Sequence, residues 1–112
     1  LIPWTIGGVN PDVTATLNYG GTEHTHPVIV IVDHIDNFVL TNVTTGQSIN
    51  GFNVVDGDAF TIDCVAKTIK NRAGAVVTGV TIGEFYLLPG DNILHVTGLT
   101  IHADTAVKIL YI

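Results

Sequence analysis

Apolar and polar residues alternate along several short stretches of the chain. From position 13 to 19 the odd positions are apolar and the even positions polar, and Phe60, Ile62 and Cys64 alternate with polar neighbours in the same way. Leu94 and Val96 repeat the pattern further on. Because successive side chains of a strand point to opposite faces, each stretch predicts a β-strand with one face in a core. The helical spacing of apolar residues is not kept anywhere over three turns.

Two other stretches are apolar at almost every position. The run 28–32 follows Pro27, and the last segment, 105–112, is apolar apart from Thr105 and Lys108. Such runs are typical of strands covered on both faces. Pro27 cannot donate a ladder hydrogen bond, so we expect it at the start or edge of its strand. We expect the last segment to pack against something outside this fragment.

Turn-forming residues separate these strands at short intervals. Residues that tolerate positive φ occur at 45–46 and 56–58, 71–74 has the composition of a turn, and Pro89-Gly90 suits the central pair of a type II turn. This spacing predicts eight to ten strands in an all-β fold. We predict an antiparallel two-sheet β-sandwich of the galectin-like or jelly-roll kind.

The length of 112 residues indicates one domain, spanning 1–112. Residues 1–10 alternate poorly and are predicted to be a linker or a strand leading in from a preceding domain. The chain begins with Leu1 rather than methionine, so we expect it to be a fragment of a larger protein.

The charge balance argues against several function classes. The net charge is −6, with only four Lys and Arg residues. Nucleic acid and anionic membranes are bound through clustered basic residues, so neither is expected as a partner. Membrane insertion is not expected either, because the longest apolar run is far too short to span a bilayer. The single cysteine, Cys64, rules out an internal disulfide and a cysteine-based zinc site.

His24 and His26 are the strongest local candidates for a metal-binding site. In a strand both imidazoles would point to one side and could bind one metal ion, with Glu23, Asp33 or His34 completing the shell. The alternative is a polar loop that leads into the strand after Pro27. Two histidines without a fixed third ligand are a weak signal, so we predict no metal and no cofactor.

The chain offers little for catalysis. His34 and Asp36 could form an acid–base pair, but Ser48 lacks the surroundings of a nucleophilic serine and Cys64 falls on a predicted core face. Asp56 and Asp58 suit a turn, and Asp63 is expected to steady the hairpin that follows it. We therefore predict no catalytic residues and no enzyme.

Aromatic side chains could stack on sugar rings. The aromatic residues considered for this role are Trp4, Tyr19, Phe38, Tyr86 and Tyr111. Most stand at alternating positions that suit a core, so Trp4, in the irregular N-terminal part, is the best candidate for an exposed contact. It could equally anchor the domain to a neighbour. Asn42-Val43-Thr44 matches the N-glycosylation pattern, which is common by chance.

Five short motifs occur in an order that resembles one known family. They are Asn18-Tyr19-Gly20 leading through Thr25-His26-Pro27 into VIVI, then NFVLTNVTTG at 37–46, GDAFTID at 57–63, KTI at 67–69 and LPGDNI at 88–93. Together they resemble the galectin-like C-terminal domain of siphophage distal tail proteins. The segments 64–66 and 73–79 depart from the family's usual hairpins.

The resemblance implies a β-sandwich that projects from a phage tail hub and binds neighbouring baseplate proteins. Some members of the family are thought to contact sugars of the host surface. The implied location is the virion, and the full-length protein is expected to be oligomeric. The family's shared residues have structural roles, so no catalytic residue is implied. We expect a structural, non-enzymatic tail domain; the alternative is a carbohydrate-binding domain that recognises cell-surface glycans.

Overall fold

The computed structural model of the chain describes residues 2–7, 12–55, 57–99 and 105–111. These residues form β-strands, turns and irregular connections, and none of them belongs to a helix. The strands are β1 (Ile2–Gly7), β2 (Asp12–Tyr19), β3 (Val28–Val32), β4 (Ile35–Asn42), β5 (Gln47–Val54), β6 (Ala59–Asp63), β7 (Thr68–Lys70), β8 (Gly90–Leu99) and β9 (Ala106–Tyr111). Accordingly, this part of the chain contains no helix able to cross a membrane.

The strands form two antiparallel sheets. One has five strands in the order β1-β9-β3-β6-β7, and the other has four in the order β2-β8-β4-β5. Buried side chains from both sheets belong to one hydrophobic core, in which Leu17, Phe38 and Leu40 of the four-stranded sheet join Ile29 and Ile62 of the five-stranded sheet. The predicted antiparallel β-sandwich is therefore confirmed, and the nine strands found among the described residues fall within the predicted range of eight to ten.

The predicted inward faces are also confirmed in register. The period-two stretches became β2, β6 and β8. Their inward positions are buried, apart from the half-buried Val13 and Ala15, while the intervening ones are exposed or half-buried. The buried side chains are Leu17, Tyr19, Phe60, Ile62, Cys64, Leu94 and Val96. A register shift of one residue would turn these side chains to solvent, so the hydrophobic pattern itself fixes the pairing.

The apolar run 28–32 differs from expectation in its burial. Pro27 directly precedes β3, as predicted, but only Ile29 and Ile31 of β3 are fully buried. Val28, Val30 and Val32 point outward and are half-buried, so the prediction of cover on both faces is wrong. The side chains of an inner strand are shielded on the outward face by those of the neighbouring strands, which is sufficient for valine.

The N-terminal strand is part of the sandwich. β1 pairs along its whole length with β9, so residues 2–7 form an edge strand of the five-stranded sheet. Residue 1 and residues 8–10, the rest of the segment predicted to be a linker or an incoming strand, lie outside the described part of the chain.

Two of the predicted turns are formed by the residues and the backbone conformation that the sequence led us to expect. Gly90 has a φ of 90°, the value that the third position of a type II turn requires after proline. The Asp63 carboxylate accepts hydrogen bonds from the backbone N–H groups of Val65 (2.9 Å) and Ala66 (3.0 Å). Asp63 therefore steadies the β6–β7 hairpin, as predicted.

The connection between β7 and β8 contributes to the core without forming a regular strand. It spans 71–89, and its Ile82, Phe85 and Leu87 side chains are buried. Backbone hydrogen bonds in both directions between Thr25 and Leu87 (3.0 and 2.8 Å) hold the connection against the segment that leads into β3. This pairing brings together the residues of the candidate site.

Candidate functional site

The paired segments around Thr25 and Leu87 assemble a small group of polar and aromatic side chains. Residues 24 and 26 flank Thr25, while Glu84 and Tyr86 precede Leu87. The ring centroids of His24 and Tyr86 are 4.8 Å apart, and those of His26 and Tyr86 are 5.9 Å apart. We call His24, His26, Glu84 and Tyr86 the histidine cluster.

The histidine cluster is held together by a hydrogen bond between His26 and Glu84. The Nε2 atom of His26 lies 2.5 Å from Oε1 of Glu84, and Nζ of Lys67 lies 3.8 Å from the other carboxylate oxygen. The hydrogen bond from His26, together with the nearby positive charges, lowers the pKa of Glu84. Glu84 is therefore held as a carboxylate at neutral pH.

The contacts of the histidine cluster differ from the ligand set considered for a metal. His26 meets Glu84, from a segment 58 residues further along the chain, rather than Glu23, Asp33 or His34. Asp33 instead accepts a hydrogen bond from the backbone of Gly57 (3.4 Å). Among the residues that the structure describes, no group of three or more His, Cys, Asp or Glu side chains is placed to hold a metal ion.

The residues considered for catalysis lie in separate environments. His34 and Asp36 do form a pair, with 3.3 Å between Nε2 and Oδ2. Ser48 shares a hydrogen bond of 3.0 Å with Thr41 instead. Burial, followed by the charges of Asp63 and Glu84, raises the pKa of the Cys64 thiol to about 12. A neutral, buried thiol is a poor nucleophile, which agrees with the predicted role of Cys64 in the core.

The aromatic candidates separate into buried and accessible residues. Phe38 is fully buried, and Tyr19 and Tyr111 pack edge-to-face in the core with ring centroids 5.8 Å apart. Tyr86 is half-buried within the histidine cluster. Trp4 pairs through its backbone with Ile109, and its side chain lies outside the described residues.

The side chain of Asn42 is inaccessible to glycosylation in the folded domain. Its Nδ2 atom, to which a glycan would be attached, donates hydrogen bonds to the carbonyl of Tyr86 (3.0 Å) and to Oδ1 of Asn92 (3.2 Å). Both asparagines are fully buried. The Asn42-Val43-Thr44 triplet therefore acts in the fold, where its asparagine joins two distant segments.

The sheet topology creates a surface that the sequence alone did not indicate. The two uniformly apolar runs became β3 and β9, which pair with each other in the five-stranded sheet. Their outward side chains are apolar and half-buried, except that the exposed Lys108 stands between Ala106 and Leu110 on β9, beside Val30. We call this surface the valine face; its residues are Val28, Val30, Val32, Ala106 and Leu110, flanked by Lys70 and Lys108.

Comparison of the chain with protein-family models, curated proteins and solved structures finds no match. The fold defines the chain as an antiparallel β-sandwich.

Proposed function

We propose that the chain is a structural, non-enzymatic domain of a phage tail or baseplate that contacts neighbouring virion proteins. The observation that carries this proposal is the valine face. The outward face of an antiparallel sheet is ordinarily polar because it meets solvent. A strip of valines between lysines instead suits a surface that another protein covers.

The composition and the motifs support the same proposal. The ordered motifs resemble the galectin-like domain of siphophage distal tail proteins, and their residues do structural work here, as Asp63 and Asn42 illustrate. The net charge of −6 keeps such a domain from adhering to nucleic acid. The proposal places the chain in the virion, as part of an oligomeric tail protein, with other tail proteins as partners.

The proposal is tested by locating the chain in particles. Antibodies raised against the purified domain are used for immunogold electron microscopy of phage particles from the source of the sequence. Labelling at the distal end of the tail is the expected result. Intact particles that lack both the label and the peptide masses of the chain would refute the proposal.

The histidine cluster favours a second candidate function, the binding of cell-surface glycans. It groups an accessible tyrosine ring with two imidazoles and a carboxylate, a combination that can stack on a sugar ring and hydrogen-bond its hydroxyl groups. A glycan array with the wild-type domain and the Tyr86→Ala and Trp4→Ala variants tests it. Binding that Tyr86→Ala abolishes would place the site in the cluster, and a wild-type domain that binds no glycan would remove this candidate.

A further inference from the structure

The charged residues of the chain are distributed unequally between the two sheets. All four basic residues lie on the five-stranded sheet or in its turns: Lys70 and Lys108 are exposed on β7 and β9, and Lys67 and Arg72 are in the turns that flank β7. The described outward positions of the four-stranded sheet carry no lysine or arginine. The two sheets therefore present surfaces of different charge.

Lys70 and Lys108 are placed on either side of the valines. The cross-strand register aligns Lys108 with Val30, Val30 with Thr61 and Thr61 with Lys70. The two lysines are thus three strand spacings apart, which is roughly 14 Å between their backbones. The valines consequently lie between two positive charges, with Thr61 between Val30 and Lys70 and with Asp63 beside Val28 at one end of the face.

The opposite surface of the sandwich has the complementary arrangement. Asp12 of β2 and Asp91 of β8 point outward from the four-stranded sheet, and the Asp12 side chain is 72% exposed. Between them lies Ile93, which is 43% exposed and neighbours the exposed Val43 through a backbone hydrogen bond of 2.8 Å. We call the surface formed by Asp12, Asp91, Ile93 and Val43 the acidic face.

The carboxylates of the acidic face are partly engaged but remain accessible. His95 lies 2.5 Å from Asp12, and Asn18 donates a hydrogen bond of 2.8 Å to Asp91. Each interaction uses one carboxylate oxygen, which leaves the other oxygen of each group for a lysine. The backbones of Asp12 and Asp91 are roughly 20 Å apart, from six residues of strand rise, a span that two long lysine side chains can bridge.

We propose that the valine face of one copy of the chain docks on the acidic face of a second copy. Apolar residues meet in the centre and Lys70 and Lys108 pair with Asp12 and Asp91. This contact would deepen the proposed function, because it names a partner for the valine face. It rests on the proposed function only in one respect, that the valine face is a contact surface. Because the two faces differ, the contact is heterologous and joins copies in a ring or an open chain.

The size of the valine face determines how the association must be measured. The whole five-stranded sheet, with strands of three to six residues, covers roughly 400 Å² in projection. That is below the approximately 800 Å² per partner of a standard stable interface, so the isolated domain is expected to associate weakly. In an oligomeric tail protein, the high local concentration would strengthen the same contact.

Sedimentation equilibrium of the wild-type domain tests the inference over protein concentrations from about 10 µM to about 1 mM, where weak complexes form. The average mass is expected to rise above that of the monomer, and to fall again in high salt because the charge pairs are screened. The double variant Lys70→Glu, Lys108→Glu should associate at least tenfold more weakly. The double variant Lys67→Glu, Arg72→Glu changes the net charge equally outside the valine face and should associate like the wild type.

A charge exchange distinguishes a specific contact from general repulsion. Asp12→Lys with Asp91→Lys should also abolish association, whereas the chain carrying all four exchanges has the wild-type net charge and should associate again. A wild-type domain that stays monomeric at every concentration would overturn the inference. Equal loss of association in the Lys70→Glu, Lys108→Glu variant and in the Lys67→Glu, Arg72→Glu control would overturn it as well. If antibodies still label the tail in that case, the proposed function stands and another acidic tail protein becomes the partner of the valine face.

Discussion

Replacing Phe85 with alanine is expected to lower the free energy of unfolding by about 3–5 kcal/mol, the usual cost of truncating a fully buried phenylalanine. Phe85 has no exposed surface and belongs to the same core as both sheets. The strands around it are held by their ladder hydrogen bonds, so they cannot collapse into the space that the ring would leave. Urea unfolding followed by circular dichroism measures the change.

Val76→Ala is the matched control for this prediction. Val76 lies in the same connection between β7 and β8 but is 60% exposed, so its truncation should change the free energy of unfolding by less than about 0.5 kcal/mol. Equal effects of the two substitutions would mean that the connection does not contribute to the core, contrary to the structure.

The strands could be predicted from the sequence because their signal is local. In β2, β6 and β8 the inward and outward positions alternate, and the burial of Leu17, Ile62 and Leu94 follows directly from that pattern. Turn residues such as Pro89-Gly90 carry their conformational preference within a few residues. Such information needs no knowledge of distant partners.

The connection that contains Phe85 could not be predicted in this way. Its position is set by pairing between Leu87 and Thr25, which are 62 residues apart and leave no periodic signal in either segment. The same cause explains the histidine cluster: the carboxylates considered for His26 were neighbours in sequence, whereas the observed partner, Glu84, arrives through that pairing. Side chains on loops meet according to tertiary structure, and a single sequence does not report it.

The valine face illustrates an intermediate case. The nearly uniform apolar character of the runs that became β3 and β9 was visible in the sequence, and it predicted strands with two covered faces. What was missing was the adjacency of the two runs, which places Leu110 beside Val28. Once paired, each run shields the other on the outward face, so half-buried valines result without a second layer of structure.

Replacing Asn92 with leucine is expected to lower the free energy of unfolding by about 2–4 kcal/mol, because a buried polar group left without its partner costs about 1–3 kcal/mol. Asn92 accepts a hydrogen bond from the backbone N–H of Leu88 (2.9 Å) and donates to the carbonyls of Leu88 (2.8 Å) and Gly90 (3.1 Å). Leucine fills a similar volume but satisfies none of these groups. Circular dichroism during urea unfolding again provides the measurement.

Asn18→Leu provides the control on the adjacent strand. Asn18 is exposed, and its side chain donates a hydrogen bond to the carboxylate of Asp91 at the protein surface. Solvent can replace that bond, so the expected change is below about 0.5 kcal/mol. A loss as large as that of Asn92→Leu would show that amide removal on these strands is costly irrespective of burial.

A double-mutant cycle with Asn42 tests whether the two buried asparagines act as one unit. Each belongs to a different sequence motif, and the bond of 3.2 Å between their side chains joins the end of β4 to the beginning of β8. Asn42→Leu alone leaves the side-chain oxygen of Asn92 without this donor. Asn92→Leu alone leaves the side-chain N–H of Asn42 without this acceptor, whereas the double variant removes both groups together. The combined loss should therefore fall short of the sum of the single losses by about 1 kcal/mol, a typical coupling for groups in contact. Strict additivity would mean that the two motifs stabilise the sandwich independently, and coupling would explain in physical terms why the motifs occur together.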